Sequence, residues 1–414
     1  MDYIFAEGNG REITGKDKIF GISQLAKKAA AEYGKENIVN ATIGALLDDD
    51  GNLIVLSSMV DVLKSMTPQE FAEYAPIAGT PEYLNVIKTV VFGDHMPKGY
   101  IEACATPGGT GSIRNTISNY SKPGDKILTS NWHWSPYQVI ASEIGRSVTT
   151  YEMFDGEKNF NFASFKENIE KLLEVQDGVV IIFNAPAHNP TGYTPSDETW
   201  DKIIEILKEC AAGGKKITFF LDIAYIDFAG DSDKAREFLP KFGDMPDNIL
   251  TIVGFSASKG FTFYGLRTGA MLCVTQNEEI AAEFKRVASF SSRGSWSNSA
   301  RVGQAAIAKV FQDEALLKKV FDERRAYEDL LSVRCKAFKE AADAAGLETC
   351  PFNAGFFITI PCENDDAVNE ELQKERIFAI AIGGGIRIAI SAISEQACRM
   401  IPEKIAAAIK RVNG

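Results

Sequence analysis

From Pro123 to Thr275 the chain alternates short apolar runs with amphipathic stretches, and few architectures tolerate that rhythm. The runs are KILTS, SVTTYEMF, GVVIIFNAP, KKITFFLDIAY, NILTIVGFS and GAMLCVT. They are rich in Val, Ile, Phe and Thr and mostly of strand length, as strands buried on both faces are. Between two of them, SDETWDKIIEILKECAAGG has helical period, an acidic start and a glycine stop. Strands and helices in alternation predict a mostly parallel sheet flanked by helices, an α/β fold. In such a sheet ligands bind beyond the carboxyl ends of the strands. After EEIAAEFKRVASF the pattern turns helical, with a long charged run from Asp313 to Gly346. The tail (GFFITIP, IFAIAIGGGIRIAIS and SEQACRMIPEKIAAAIKRVNG) reads as a smaller α+β unit. No proline- or serine-rich linker divides the parts, so a shared interface is expected.

Bulk properties narrow the function. A chain of 414 residues, 45% hydrophobic and 24% charged, can bury a sizeable core. Its net charge of -12 argues against nucleic acid or an anionic membrane as a bulk partner. The seven cysteines are scattered with no C-x-x-C pair, which suggests neither a zinc site nor a disulfide framework and fits a reducing cytosol. The opening MDYIFAEGNGREITGKDKIF lacks the basic-then-apolar order of a signal peptide, and no apolar run has the length to span a bilayer. A cytoplasmic protein is expected.

The polar exceptions fall at strand ends. Lys259 follows ILTIVGF, where burying an unpaired ammonium is costly and favours loss of its proton; a neutral amine in a pocket is a nucleophile toward carbonyls. Asp222 closes KKITFFLD, with Tyr225 three residues on, and NAPAHNPTG places Asn189 after another strand. TPGGTGSIRNTISNY is a glycine-rich turn entering a helix, whose N–H groups, with the Thr110 hydroxyl, make an anion site. Ser256, Ser258 and Arg267 add phosphate donors, and Trp132 in TSNWHWSPY, with Trp134 beside it, offers a flat aromatic face. Singly, each has a plainer reading: Lys259 as a surface or phosphate-binding lysine, Asp222 as a cap, GGTG as a turn or nucleotide loop, Trp132 as core. Together they suit one ligand, with a phosphate, a flat ring bearing a basic nitrogen, a phenolic oxygen and an aldehyde. That ligand is pyridoxal 5'-phosphate.

These segments, with EYAPIAG, DIAY, SASKGFTFYGLRTG, RGSWSNSARVG and GGGIRIAIS in the same order, resemble the fold-type-I aminotransferases, in particular the aspartate/aromatic branch of class I. The resemblance implies the aspartate aminotransferase-like fold. It implies an N-terminal arm and first part of the small domain over 1–50, a large cofactor-binding domain over 51–325 and a C-terminal small domain over 326–414. It assigns Lys259 to the Schiff base and proton shuttle, Asp222 to the ring nitrogen, and Tyr225 and Asn189 to the phenolate oxygen. Trp132 is assigned to ring stacking, and Gly109, Thr110, Ser256, Ser258 and Arg267 to the phosphate. Arg387 takes the substrate α-carboxylate and Gly44 sits beside the substrate. Tyr74, reaching the phosphate, and Arg293, reaching a distal carboxylate, come from a neighbouring subunit, so a homodimer is implied. His188 is read as a supporting residue.

The sequence departs from the branch at Gly108 (usually serine), in WHWSPY, at Trp296 (usually tyrosine) and in SNSA. These changes touch the substrate mouth, so aspartate and aromatic donors both stay open, with 2-oxoglutarate the expected acceptor. Other exits of the same cofactor chemistry, aspartate decarboxylation or β-elimination, stay open as well. A non-enzymatic effector-sensing regulator would carry an appended DNA-binding segment, and the first forty residues hold no basic helix-turn-helix pattern.

Overall fold

The computed structural model describes residues 18–414, with Phe5 and Gly8. The expected N-terminal arm and the reading of the first twenty residues therefore lie largely outside the described residues. Twelve strands follow in chain order: β1 Val39–Asn40, β2 Tyr100–Pro107, β3 Lys126–Ser130, β4 Ser147–Tyr151, β5 Gly178–Asn184, β6 Lys216–Asp222, β7 Ile249–Ser256, β8 Thr268–Thr275, β9 Phe357–Pro361, β10 Ile377–Phe378, β11 Ile380–Ala381 and β12 Gly385–Ala389. The main sheet has seven strands in the order β2-β8-β7-β6-β5-β3-β4, all parallel except β8. The alternating apolar runs supply six of these. The seventh, β2, comes from YIEACATP, a run whose central glutamate and small residues mask its strand character.

Strand side chains alternate between faces, so a sheet covered on both sides needs two apolar layers. In β6, Phe219 and Leu221 enter one core with Phe183, Trp200 and Val253, while Phe220 enters the opposite core with Val180, Ile182 and Ile252. The helix Asp197–Ala211 begins where Ser196 accepts from the Thr199 N–H, as its sequence signal predicts.

The charged run forms one 31-residue helix, Glu314–Ala344, capped by Asp313, which accepts from the Ala315 and Leu316 N–H groups at 2.9 and 3.1 Å. It leads to the antiparallel sheet β11-β12-β9, over which a separate core gathers Phe338, Ile358, Ile386, Ile388 and Ile401. The N-terminal segment joins this second layer, since β1 pairs in parallel with β10. A further cluster, including Leu46, Tyr225, Phe228, Leu331, Phe356 and Phe357, seals the seam between the two parts. Arg334 crosses that seam with 0% of its surface exposed, donating to Ser391 O (3.0 Å), Leu47 O (2.9 Å) and Asp49 Oδ1 (2.8 Å). Among the described residues no helix is long and apolar enough to cross a membrane.

Replacing Arg334 with Met would leave the Leu47 carbonyl without its arginine donor, while the Ser391 carbonyl would keep only the Leu47 N–H. A loss of about 3 kcal/mol is expected from unsatisfied buried polar groups, read as an earlier midpoint in urea unfolding; an unchanged midpoint would show that the arginine contributes little to the seam.

Candidate active site

The six parallel strands of the main sheet deliver their last residues to one edge. Asn184, Asp222 and Gly254 lie side by side in the register of β5, β6 and β7. β2 runs parallel to β7, with antiparallel β8 between them, so the helix Gly108–Tyr120 starts at this edge too, and Arg267 lies just before β8. A cavity of about 250 Å³ opens there, lined by Gly44, Gly109, Thr110, Asn189, Asp222, Tyr225, Ser256, Ser258, Lys259, Arg267 and Arg387 among others.

Asp222, 6% exposed, is held at both oxygens. Tyr137 donates its hydroxyl to Oδ2 at 2.6 Å and the Ala224 N–H reaches Oδ1 at 3.2 Å. Burial raises its pKa, and these hydrogen bonds, with Asn184, oppose the rise. Asn189 is fixed by its N–H to Asn184 Oδ1 (2.7 Å) and donates through Nδ2 to the Tyr225 hydroxyl at 3.4 Å. His188, in the same turn, meets Thr191 Oγ1 at 2.8 Å; burial keeps it neutral, with its pKa near 3.

The Lys259 side chain borders the open cavity, but its amine lies among ring faces, 4.8 Å from the centre of Tyr264 and 5.4 Å from that of Tyr225. Its hydrogen bond goes to the Gly44 carbonyl. Burial, with repulsion from Arg387 and Arg267, pulls its pKa down to about 7. Arg387 donates to Thr42 O (2.7 Å) and Asn189 Oδ1 (3.4 Å), while its Nε has no hydrogen-bond partner among the described residues. A guanidinium that lines a cavity and has a donor to spare can receive a carboxylate. Where Arg267 donates to Ser258 Oγ (3.3 Å), the first N–H groups of the helix Gly108–Tyr120 and the Ser256 hydroxyl complete an anion cradle.

The chain matches the family model "Aminotransferase class I and II" over residues 36–405. The chain belongs to the class I and II aminotransferases. It is similar to an aminotransferase of Anaerococcus prevotii whose crystal structure superposes with a TM-score of 0.96, at 37% identity over 98% of this chain and 100% of that one. It is 28% identical to the aspartate aminotransferase of Escherichia coli over 72% of this chain and 74% of that one. It shares its fold, at TM-score 0.80 and 23% identity over 98% of this chain and 100% of that one, with an aromatic-amino-acid aminotransferase of Burkholderia pseudomallei covalently bound to pyridoxal phosphate.

Trp132, expected over the ring, lies elsewhere in this aminotransferase, and Tyr74 and Arg293, expected to serve a neighbouring subunit, are outside the cavity of their own chain. Trp132 does not line the cavity; its ring packs over the Gly384–Gly385 turn, 3.2 Å from where a Gly385 Cβ would stand. Trp134 lines the cavity instead, edge-on to Tyr137 with ring centres 5.5 Å apart. The loop after β3 is not a strand, so spacing alone could not say which tryptophan turns inward. Tyr74 is 89% exposed and away from the cavity of its own chain. Arg293 sits in the last turn of the helix Glu278–Ser295 and donates to Ser297 Oγ at 2.7 Å. The sequence reading also passed over Tyr137, Tyr264, Phe357 and Phe20, which all line the cavity. Gly108 has its own reason for not being serine. Its φ is +69°, and a Cβ there would stand 2.7 Å from Arg267 Nη2.

In the ligand-free protein, acylation of Lys259 should follow a titration centred near pH 7 rather than near 10.5. Arg387→Leu should move that midpoint upward, because it removes a like charge; a midpoint near 10 in the parent protein would contradict the site's electrostatics. Tyr137→Phe should raise the Asp222 titration, followed by carbon-13 NMR of the carboxyl, since it deletes a donor that stabilises the ionised form.

Proposed function

We propose that this aminotransferase carries pyridoxal 5'-phosphate on Lys259 and moves the amino group of an L-amino acid of the aspartate or aromatic class to a 2-oxo acid such as 2-oxoglutarate. One observation carries the reading. A buried amine with its pKa near 7, a buried carboxylate and an anion cradle share a single cavity with a guanidinium that has a free donor.

The residues suit that cofactor. A Cβ at Gly109 would stand 3.3 Å from Ser256 Cβ, a tight contact, so glycine there suits a cradle in which backbone N–H groups face a phosphate. Asp222, costly to bury as an anion, gains a cationic partner if a protonated ring nitrogen sits beside it. Asn189 and Tyr225 are placed to donate to a phenolate oxygen, and Trp134, rather than Trp132, to cover a ring. When bound, the cofactor supplies an aldehyde carbon to receive the amino group and a ring to accept the Cα electron pair. Arg387 grips the α-carboxylate and orients the Cα–H bond toward Lys259. Once the incoming amino group has taken its place on the aldehyde carbon, the released Lys259 amine, whose pKa near 7 leaves a substantial neutral fraction at neutral pH, would take the Cα proton at Nζ and could return it to the cofactor carbon. Asp222 holds the proton on the ring nitrogen throughout.

On this reading residues 51–325 form the cofactor-bearing part, while 1–50 and 326–414 bring Gly44 and Arg387 to the substrate. The exposed Tyr74 and Arg293 would serve the cavity of a second copy in a homodimer. Seven free thiols fit a cytoplasmic setting.

Protein reconstituted with pyridoxal phosphate should show an absorption band lost in Lys259→Ala. Aspartate, glutamate, tyrosine and phenylalanine, added separately, should convert the band, and the most effective one identifies the donor class. A band that persists in Lys259→Ala would sink the assignment. Arg387→Leu should cost roughly 10²-fold in kcat/KM, as expected for losing about 3 kcal/mol of charge-assisted hydrogen bonding.

A further inference from the structure

The helix bearing Lys259 is a single turn, Ala257–Gly260. One turn cannot hold itself in water, so the height of the amine in the cavity must be set by what the turn rests on. Its far side rests on charge. Gly260 lies so close to Asp227 that a Cβ there would collide with Oδ2 and stand 2.7 Å from Cγ. Asp227 is buried and belongs to the short turn Ile226–Phe228, immediately after Tyr225.

Two buried guanidiniums fix that carboxylate. Arg236 Nη2 and Arg324 Nη1 both donate to Oδ1 at 2.7 Å. Arg236 is anchored in turn to the Val91 and Val90 carbonyls, at 3.1 and 3.3 Å, where the helix Pro81–Phe92 ends. Arg324 lies on the long helix Glu314–Ala344, with its guanidinium 4.8 Å from the ring centre of Phe261, the residue that follows the Lys259 turn, and 5.0 Å from that of Phe321. Its Nε and Nη2 have no hydrogen-bond partner among the described residues. Gly260 thus sits on the carboxylate and Phe261 on the guanidinium.

For stability alone this is an uneconomical arrangement. Buried ion clusters usually do no better than apolar residues of the same volume, and here two cations share one anion. What the cluster provides is a fixed seat, tying three distant parts of the chain to the underside of one turn. None of this restates the active site. Asp227 lines a different cavity, of about 400 Å³, with Arg236 and Arg324.

We propose that Asp227 is a positioning residue for Lys259, acting through Gly260, with Arg236 and Arg324 as the clamp that holds it; this rests on the proposed role of Lys259. The substrate carboxylate is bound on the other side of the cavity by Arg387, so loosening the seat alters proton transfer at Nζ and leaves substrate binding alone.

The test compares holoenzymes of the parent, Lys259→Ala, Asp227→Ala and Arg324→Met, with folding checked by circular dichroism. Asp227→Ala is expected to lower kcat at least tenfold, to keep KM for the amino donor within about twofold, and to shift or broaden the cofactor absorption band. Arg324→Met, which leaves the Asp227–Arg236 pair intact, should give a smaller loss of the same kind, and it carries the test if Asp227→Ala does not fold. Gly260→Ala should reproduce the defect, and adding Asp227→Ala to it should restore part of kcat by making room for the new methyl group. If Lys259→Ala loses the band while the folded Asp227 and Arg324 variants keep the parent kcat and spectrum, the positioning role is overturned and the function stands. If Lys259→Ala keeps the band, the underlying function is wrong and the positioning role falls with it.

Discussion

Three cationic side chains, Lys259, Arg267 and Arg387, face one cavity, and a single carboxylate, Asp222, faces it with them. Asp222 makes no ion pair with any of the three; its oxygens are taken by Tyr137 and the Ala224 N–H. Arg267 is exposed, but Arg387 is buried and the Lys259 amine lies among ring faces, so positive charge on these two costs stability unless an anion enters or a proton leaves. Both responses are chemically useful. A phosphate or carboxylate entering the cavity would neutralise the arginines, and loss of a proton would leave the lysine a neutral amine. Much of the surrounding architecture can be understood as what keeps these like charges close without letting the site collapse.

The strand ends do most of that. Because β5, β6 and β7 are parallel and in register, Asn184, Asp222 and the approach to Lys259 arrive at one edge at the spacing of adjacent strands. Gly44 and Arg387 come from the second layer, held against the first by the aromatic seam and by Arg334. The carbonyl that receives the Lys259 amine and the guanidinium that lowers its pKa thus belong to a different packing unit from the lysine itself. The site is complete only when the two units are closed on each other.

How much of this was legible beforehand follows from the physics of each feature. Apolar strand runs announce themselves locally, and so do polar residues at their ends, such as Lys259, Asp222 and Asn189, whereas Arg387 lies inside β12 and is singled out by the family resemblance. β2 was missed because alanine, cysteine and threonine around a glutamate carry a weak strand signal. Trp132 and Trp134 differ only in how an irregular loop turns. Tyr137 and Asp227 were invisible for another reason. Tyr137 reaches Asp222, 85 residues away, and Asp227 reaches Arg324, 97 residues away, besides Arg236 nine residues on, and nothing in their own neighbourhoods distinguishes them from an ordinary helix tyrosine or turn aspartate. Serine and glycine around Arg293 disfavour helix, yet the helix Glu278–Ser295 carries on through SSRGS.

The single antiparallel strand, β8, sets a limit on chain length that the other connections escape. Parallel neighbours are joined by long crossovers whose lengths are free to vary, but β7 and β8 are adjacent and reversed, with Ser256 opposite Gly269. The chain between them must leave the sheet, present Lys259 and Arg267, and return within one strand spacing. An added residue in that excursion would displace the amine relative to the phosphate cradle, whereas one added between β4 and β5 would displace neither. The segment from Ser256 to Thr268 is thus expected to keep its length among relatives even where its residues change.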